Sequence, residues 1–123
     1  MIARLIAGAC AMSLAFTACE APAQRAPQKA PDVGEIREAQ LPPEARETLA
    51  LIRKGGPFPY AKDGAVFGNR EAALPKEKRG YYREYTVKTP HVRTRGPRRI
   101  IWGAGGEYYY TDDHYNRFLR IRD

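Results

Sequence analysis

The chain has 123 residues, with 21 Lys and Arg against 14 Asp and Glu and a formal charge of +7. A hydrophobic content of 43% on a chain this short excludes a disordered tail, a multidomain machine and a polytopic membrane protein. The positive balance favours anionic partners: nucleic acid, phosphate or an anionic membrane surface.

In chain order, Arg4 precedes an uncharged apolar stretch, residues 5–18. It is shorter than the roughly 20 residues that span a bilayer and has the size of a signal-peptide core. Residues 1–19 therefore read as an export signal with two possible exits. Phe16-Thr17-Ala18-Cys19 resembles a lipobox, which would make Cys19 a lipidated N-terminus. Ala21-Pro22-Ala23 is an A-x-A cleavage site, which would release a soluble product. Either exit places the protein outside the cytoplasm, secreted or anchored in the cell envelope, with membrane contact only through the anchor. Cys10 and Cys19 are the only cysteines, so the remaining chain is expected to hold no disulfide, no metal and no cofactor. Residues 20–32 are Pro/Ala-rich without periodicity and read as a linker. The folded domain is expected over 33–123, as a monomer.

Pro42-Pro43 opens a helix whose apolar face is Ala45, Thr48, Leu49 and Ile52, spaced i, i+3, i+4, i+7. Arg53-Lys54-Gly55 closes it with two cations and a glycine. After the turn-rich 55–60, strands are predicted at Ala65–Phe67, Gly80–Lys88, Arg98–Trp102, Glu107–Tyr110 and Phe118–Ile121. Alternation in the second of these puts Tyr82, Glu84 and Thr86 on one face and Tyr81, Arg83, Tyr85 and Val87 on the other. Thr111–His114 reads as a turn. The fold class is α+β: one N-terminal helix packed on a twisted antiparallel sheet.

Positions 90–101 hold Arg93, Arg95, Arg98 and Arg99 and no acid. They read either as a solvated basic turn or as a phosphate cradle, since the guanidinium fork matches phosphate oxygens. If 95–99 is extended, Arg95 and Arg99 project from one face. Glu84 is either an exposed strand residue or a general base. His114 is either surface decoration or a proton donor near neutral pH. His91 reads as structural or surface, and Trp102 as packing. Together, a carboxylate, a histidine and paired arginines suit metal-free transfer within an RNA phosphodiester, where the ribose 2′-OH is the nucleophile.

From Leu41 onward the chain resembles the microbial guanyl-specific ribonucleases, the family of barnase and ribonuclease Sa, and most closely the ribonuclease Sa branch. The matching blocks are Leu41-Pro42-Pro43-Glu44, Gly56-Pro57-Phe58-Pro59-Tyr60, Val66-Phe67-Gly68-Asn69-Arg70-Glu71, Leu74-Pro75, Gly80–Val87, Arg93–Gly96 with Arg98–Ile101, and Tyr110–Tyr115. The resemblance implies the microbial ribonuclease fold. It makes Glu84 the general base and His114 the general acid, with Arg95 and Arg99 on the phosphate and Arg70 near it. It also implies a guanine site: Glu71 accepting N1–H and N2–H, the Asn69 and Arg70 N–H groups on O6, and Phe67 and Tyr115 flanking the base. The expected enzyme cleaves single-stranded RNA 3′ of guanosine through a 2′,3′-cyclic phosphate, which it then hydrolyses. An acidic, barstar-like inhibitor docking on Arg70, Arg95, Arg99 and His114 is the implied protein partner. Two departures from relatives bear on the structure. A disulfide joining the domain's ends is missing, and the Trp102–Thr111 connection is glycine-rich, which puts in question the loop beside His114. The competing reading is a non-catalytic, polyanion-binding envelope lipoprotein, which rests on charge and lipobox alone.

Overall fold

The computed structural model describes residues 33–123; the expected export segment with Cys19 and the linker lie outside the described residues. The elements run β1 (Gly34–Arg37), a 3-10 turn (Glu38–Gln40), α1 (Pro43–Lys54), β2 (Ala65–Val66), β3 (Tyr82–Thr86), β4 (Arg99–Gly103), β5 (Tyr108–Thr111) and β6 (Leu119–Arg122). The six strands form one sheet in the order β1-β6-β5-β4-β3-β2. The architecture is α+β, one helix packed on a mostly antiparallel sheet.

The helix forms where the apolar spacing predicts it. Ala45 and Leu49 are fully buried, and Thr48 lies beside them. Pro43 sits in the first turn, where its missing N–H costs nothing. At the other end Gly55 takes φ 90°, and the Gly55 and Gly56 N–H groups close on the Ile52 and Leu51 carbonyls.

The sheet is buried on both faces. On one face Leu41, Ala45, Leu49, Val87, Ile100, Tyr110 and Ile121 form a core with the helix. On the other, Leu74, Tyr82, Ile101, Tyr109 and Phe118 form a second core under the chain between β2 and β3. This explains the consecutive isoleucines of β4: Ile100 points to the helix, Ile101 to the second core, and both are fully buried.

Two features depart from the sequence reading. The sheet gains an edge strand, β1, with no alternating pattern, and it pairs with β6 in parallel, Gly34 opposite Leu119 through Arg37 opposite Arg122. The two ends of the domain, which a disulfide would join, are held by this ladder and by Arg122, whose Nε and Nη2 both donate to Glu35 (3.1 and 2.9 Å). The glycine-rich hairpin of residues 103–107 is not beside His114. Trp102 pairs with Tyr108 at the hairpin end of β4 and β5, whereas Arg99 and Thr111, next to the His114 loop, pair at the opposite end.

Candidate active site

Glu84 stands mid-strand in β3 on the face away from the helix. Its carboxylate accepts from Arg95 Nη2 at 3.3 Å on one oxygen and from the Tyr115 hydroxyl at 2.7 Å on the other. Tyr115 in turn accepts from Arg99 Nε at 3.1 Å. Burial, and then the bond to Glu84, pushes the Tyr115 phenol up from its ordinary value, which keeps it a donor.

The two arginines arrive by different routes. Arg99 is the first residue of β4, only 3% exposed, with Nη1 on the Gly96 and Arg98 carbonyls (2.8 and 2.7 Å). Arg95 lies on the preceding loop, where its Nε and Nη2 donate to Thr86 Oγ1 at 3.0 and 2.8 Å. The segment between them is not extended, as the sequence reading assumed: Gly96 turns it at φ 68°. Convergence comes from that turn, not from strand alternation. Within this network two guanidinium groups face one carboxylate, which leaves a net positive site that favours an anion.

His114 is held by its backbone. Its N–H donates to the Pro97 carbonyl at 3.1 Å, joining the loop after β5 to the loop before β4. Asp113 organises the same loop, with Oδ1 taking the Thr111 hydroxyl and the Arg117 N–H, both at 2.9 Å. Those bonds, the Arg117 N–H first, hold its carboxyl below the usual aspartate range. His114 and Tyr115 both take left-handed backbone conformations, φ 57° and 72°. Non-glycine residues there cost about 1–2 kcal/mol each.

The Phe67–Glu71 loop is built around Asn69. Its side-chain amide donates to the Leu74 and Pro75 carbonyls (2.9 and 3.3 Å) and accepts from the Leu74 N–H (3.1 Å). Fully buried Leu74 anchors the arch in the second core, and the Tyr82 hydroxyl clamps Pro75 at 2.6 Å. Inside the arch, the N–H groups of Asn69, Arg70 and Glu71 make no hydrogen bond among the described residues. The Asn69 side chain is therefore scaffolding, and what the arch offers a ligand is backbone donors beside the exposed Glu71 carboxylate.

One cleft of about 390 Å³ joins these parts, lined by Phe67, Asn69, Arg70, Glu71, Glu84, His114 and Tyr115, with Val66, Gly68, Ala73 and Asn116 completing its walls. Arg95 and Arg99 do not line it; Arg99 lies beneath Tyr115, its guanidinium 5.8 Å from the ring centre. The expected sandwich of a base between Phe67 and Tyr115 has no room here. The two rings stack on each other with centres 5.1 Å apart, whereas a base between them needs about 7 Å, twice the carbon contact distance. Tyr115 thus packs on Phe67 on one side and lies over the Arg99 guanidinium on the other.

Three residues of this framework escaped the sequence reading: Thr86, Thr111 and Asp113. The one available signal was alternation, which put Thr86 on the face of Glu84.

Residues 23–122 match the ribonuclease family. Guanyl-specific ribonuclease St of Saccharopolyspora erythraea is 60% identical over 84 residues, 68% of this chain and 83% of that protein. Guanyl-specific ribonuclease Sa of Kitasatospora aureofaciens is 59% identical over 89 residues, 72% of this chain and 93% of that protein. A solved structure of ribonuclease Sa2 with guanosine-2′-cyclophosphate superposes with a TM-score of 0.70 at 49% identity, covering 73% of this chain and 96% of that one. Another, of ribonuclease Sa2 complexes with mononucleotides, gives 0.74 at 48% identity, covering 76% and 97%.

Proposed function

The chain belongs to the guanyl-specific ribonuclease family, and on that premise we propose that it is an exported endoribonuclease cleaving single-stranded RNA 3′ of guanosine. Cleavage runs in two steps without a metal ion. The observation that carries this reading is the single cleft in which the Glu71 arch, Glu84 and His114 meet. Guanine presents N1–H and N2–H side by side. One carboxylate, Glu71, accepts both while the free N–H groups of the arch take O6.

Entry of the nucleotide requires Tyr115 to swing off Phe67. That single movement frees a stacking face, uncaps Glu84 and uncovers Arg99. Stacking of the base on Phe67 supplies about 1–3 kcal/mol in place of the displaced ring, and the phosphate takes over the Arg99 donor that Tyr115 gives up. With Tyr115 gone, Glu84 takes the 2′-OH proton. The 2′ oxygen attacks phosphorus, and the P–O5′ bond breaks as His114 protonates the departing oxygen. Arg95 and Arg99 hold the charge that builds on the phosphoryl oxygens. In the second step His114 takes a proton from water as its oxygen attacks phosphorus, and the P–O2′ bond breaks as Glu84 returns its proton to the 2′ oxygen, leaving a 3′-phosphate.

The uncharged apolar run behind Arg4 supports export, with Cys19 as the lipid attachment point if the lipobox is used. An acidic protein inhibitor, protecting the producing cell, would cover His114 and Arg70, both exposed at the cleft mouth.

The test uses the purified protein with EDTA and four RNA oligonucleotides differing only by G, A, C or U at one position, beside a matched DNA. Cleavage only 3′ of G, with a cyclic phosphate end and intact DNA, is the expected result. Binding of RNA and DNA without cleavage would overturn it. Glu71→Ala should keep the chemistry and lose the preference for G.

A further inference from the structure

Arg95 presents a problem that its obvious partner does not solve. It sits on a loop with no ladder on either side, and its ion pair is with Glu84. Under the function proposed above, on which this inference rests, Glu84 loses its charge on taking the 2′-OH proton. It does so as the phosphoryl oxygens begin to need Arg95. An anchor whose charge vanishes at that moment cannot by itself hold the guanidinium in place.

Thr86 supplies an anchor that does not change. Its hydroxyl oxygen accepts from both Nε and Nη2 of Arg95, at 3.0 and 2.8 Å, shorter than the 3.3 Å of the ion pair. A hydroxyl is neutral at every stage of the reaction. Thr86 is itself buried, 2% exposed, and paired in β3 with Arg99 of β4. Its N–H donates to Asp63 Oδ1 at 2.8 Å, and its carbonyl accepts from the Thr48 hydroxyl of α1 at 3.3 Å. Asp63 is fixed in turn by the Tyr60 N–H, at 3.3 Å. The position of Arg95 is thus tied through Thr86 to the helix and to the loop before β2. Two donors on one side chain fix the plane of the guanidinium as well as its place, and that orientation is what bidentate phosphate contact requires.

We infer that Thr86 is a positioning residue for the reaction: its side-chain oxygen keeps Arg95 aimed at the phosphate whether Glu84 is charged or neutral. Thr86 touches no substrate, so its effect passes entirely through Arg95.

The experiment compares Thr86→Val, which keeps the shape and removes the hydroxyl, with Thr86→Ser, which keeps the hydroxyl. Each is assayed for cleavage at G and for inhibition by guanosine 3′-monophosphate and by guanosine alone. Thr86→Val should weaken the nucleotide about tenfold, the scale of a hydrogen bond to a charged group, and leave guanosine within about twofold. It should lower kcat about 10- to 100-fold, and Thr86→Ser should restore both. In an Arg95→Ala background, Thr86→Val should add no further loss. Equal weakening of nucleotide and nucleoside, or no rescue by serine, would reduce Thr86 to a packing residue. Should Thr86→Val fail to fold, the wild-type Arg95 Nε–H decides: slow exchange with solvent is expected, and exchange as fast as in free arginine overturns the inference. Failure of the wild type to cleave at G would instead sink the function, leaving the Arg95–Thr86 bonds measurable by the same exchange.

Discussion

The two faces of the sheet do opposite work with the same strands. Toward the helix, Ile100 of β4, Tyr110 of β5 and Val87, which follows β3, are spent on packing. Toward the other side, only the half nearer the hairpin is packed, by Tyr82, Ile101 and Tyr109. The other half carries Glu84, Thr86 and Arg99, polar groups tied to loops rather than to a core. Strand alternation therefore separates stability from chemistry by one residue. Thr86 faces the site and Val87 the helix. A polar cluster of this kind survives beside a core because each member has a partner that does not depend on solvent.

That separation can be broken from either side. The largest effect is expected from Glu84→Gln, which keeps the shape and the acceptor for Tyr115. It should cut kcat by about 10²–10⁴-fold, as loss of one acid–base group does, while Tm moves by only a few degrees. Leu49→Ala should do the reverse. Truncating a fully buried leucine costs about 2–5 kcal/mol, a Tm fall of roughly 10–25 °C here, with the activity of the folded protein within about twofold of wild type. A variant that lost both equally would show that the faces are coupled.

Gly96→Ala tests the boundary. The glycine has φ 68°, and a Cβ there would run into the Thr89 side chain. The loop should lose about 2 kcal/mol, and KM should rise because Arg95 moves with it. The smallest effect is expected from Asp113→Asn, about 1 kcal/mol. Its sign with pH is fixed. A carboxyl held below its unfolded value contributes stability in full above the ordinary aspartate range and loses it as pH falls through the lowered value. Urea midpoints should therefore differ between wild type and variant at pH 7 and converge as the pH falls through the lowered value.

The helix-side face was the more legible in sequence. The spacing of α1 and its glycine cap are local signals, and the structure follows them. The central strands were visible in their aromatic and β-branched runs. β1 was not, because Gly-Glu-Ile-Arg has no face; it is a strand only through β6, with Glu35 and Arg122 87 residues apart. In the cleft, residue types and order pointed to Glu84, His114 and the arch. They did not show that Tyr115 folds over Arg99, or that Asn69 spends its side chain inside its own loop. The first is a rotamer choice set by Arg99 and Glu84, distant in sequence; the second is set by Leu74 and Pro75 at the far side of the same short loop. Nor did they show what steadies the arginines, since a threonine beside a glutamate carries no mark of the loop that reaches it.

The β1–β6 ladder also decides where the domain can be held. Both ends of the described domain lie at that side of the sheet, and Glu35 sits in the row that runs through Arg120, Tyr109 and Ile101 to Glu84. Four strand spacings of about 4.8 Å put roughly 20 Å between that edge and Glu84. A leash, a surface or a fused protein joined to either end of the described domain would thus attach several strands away from Glu84.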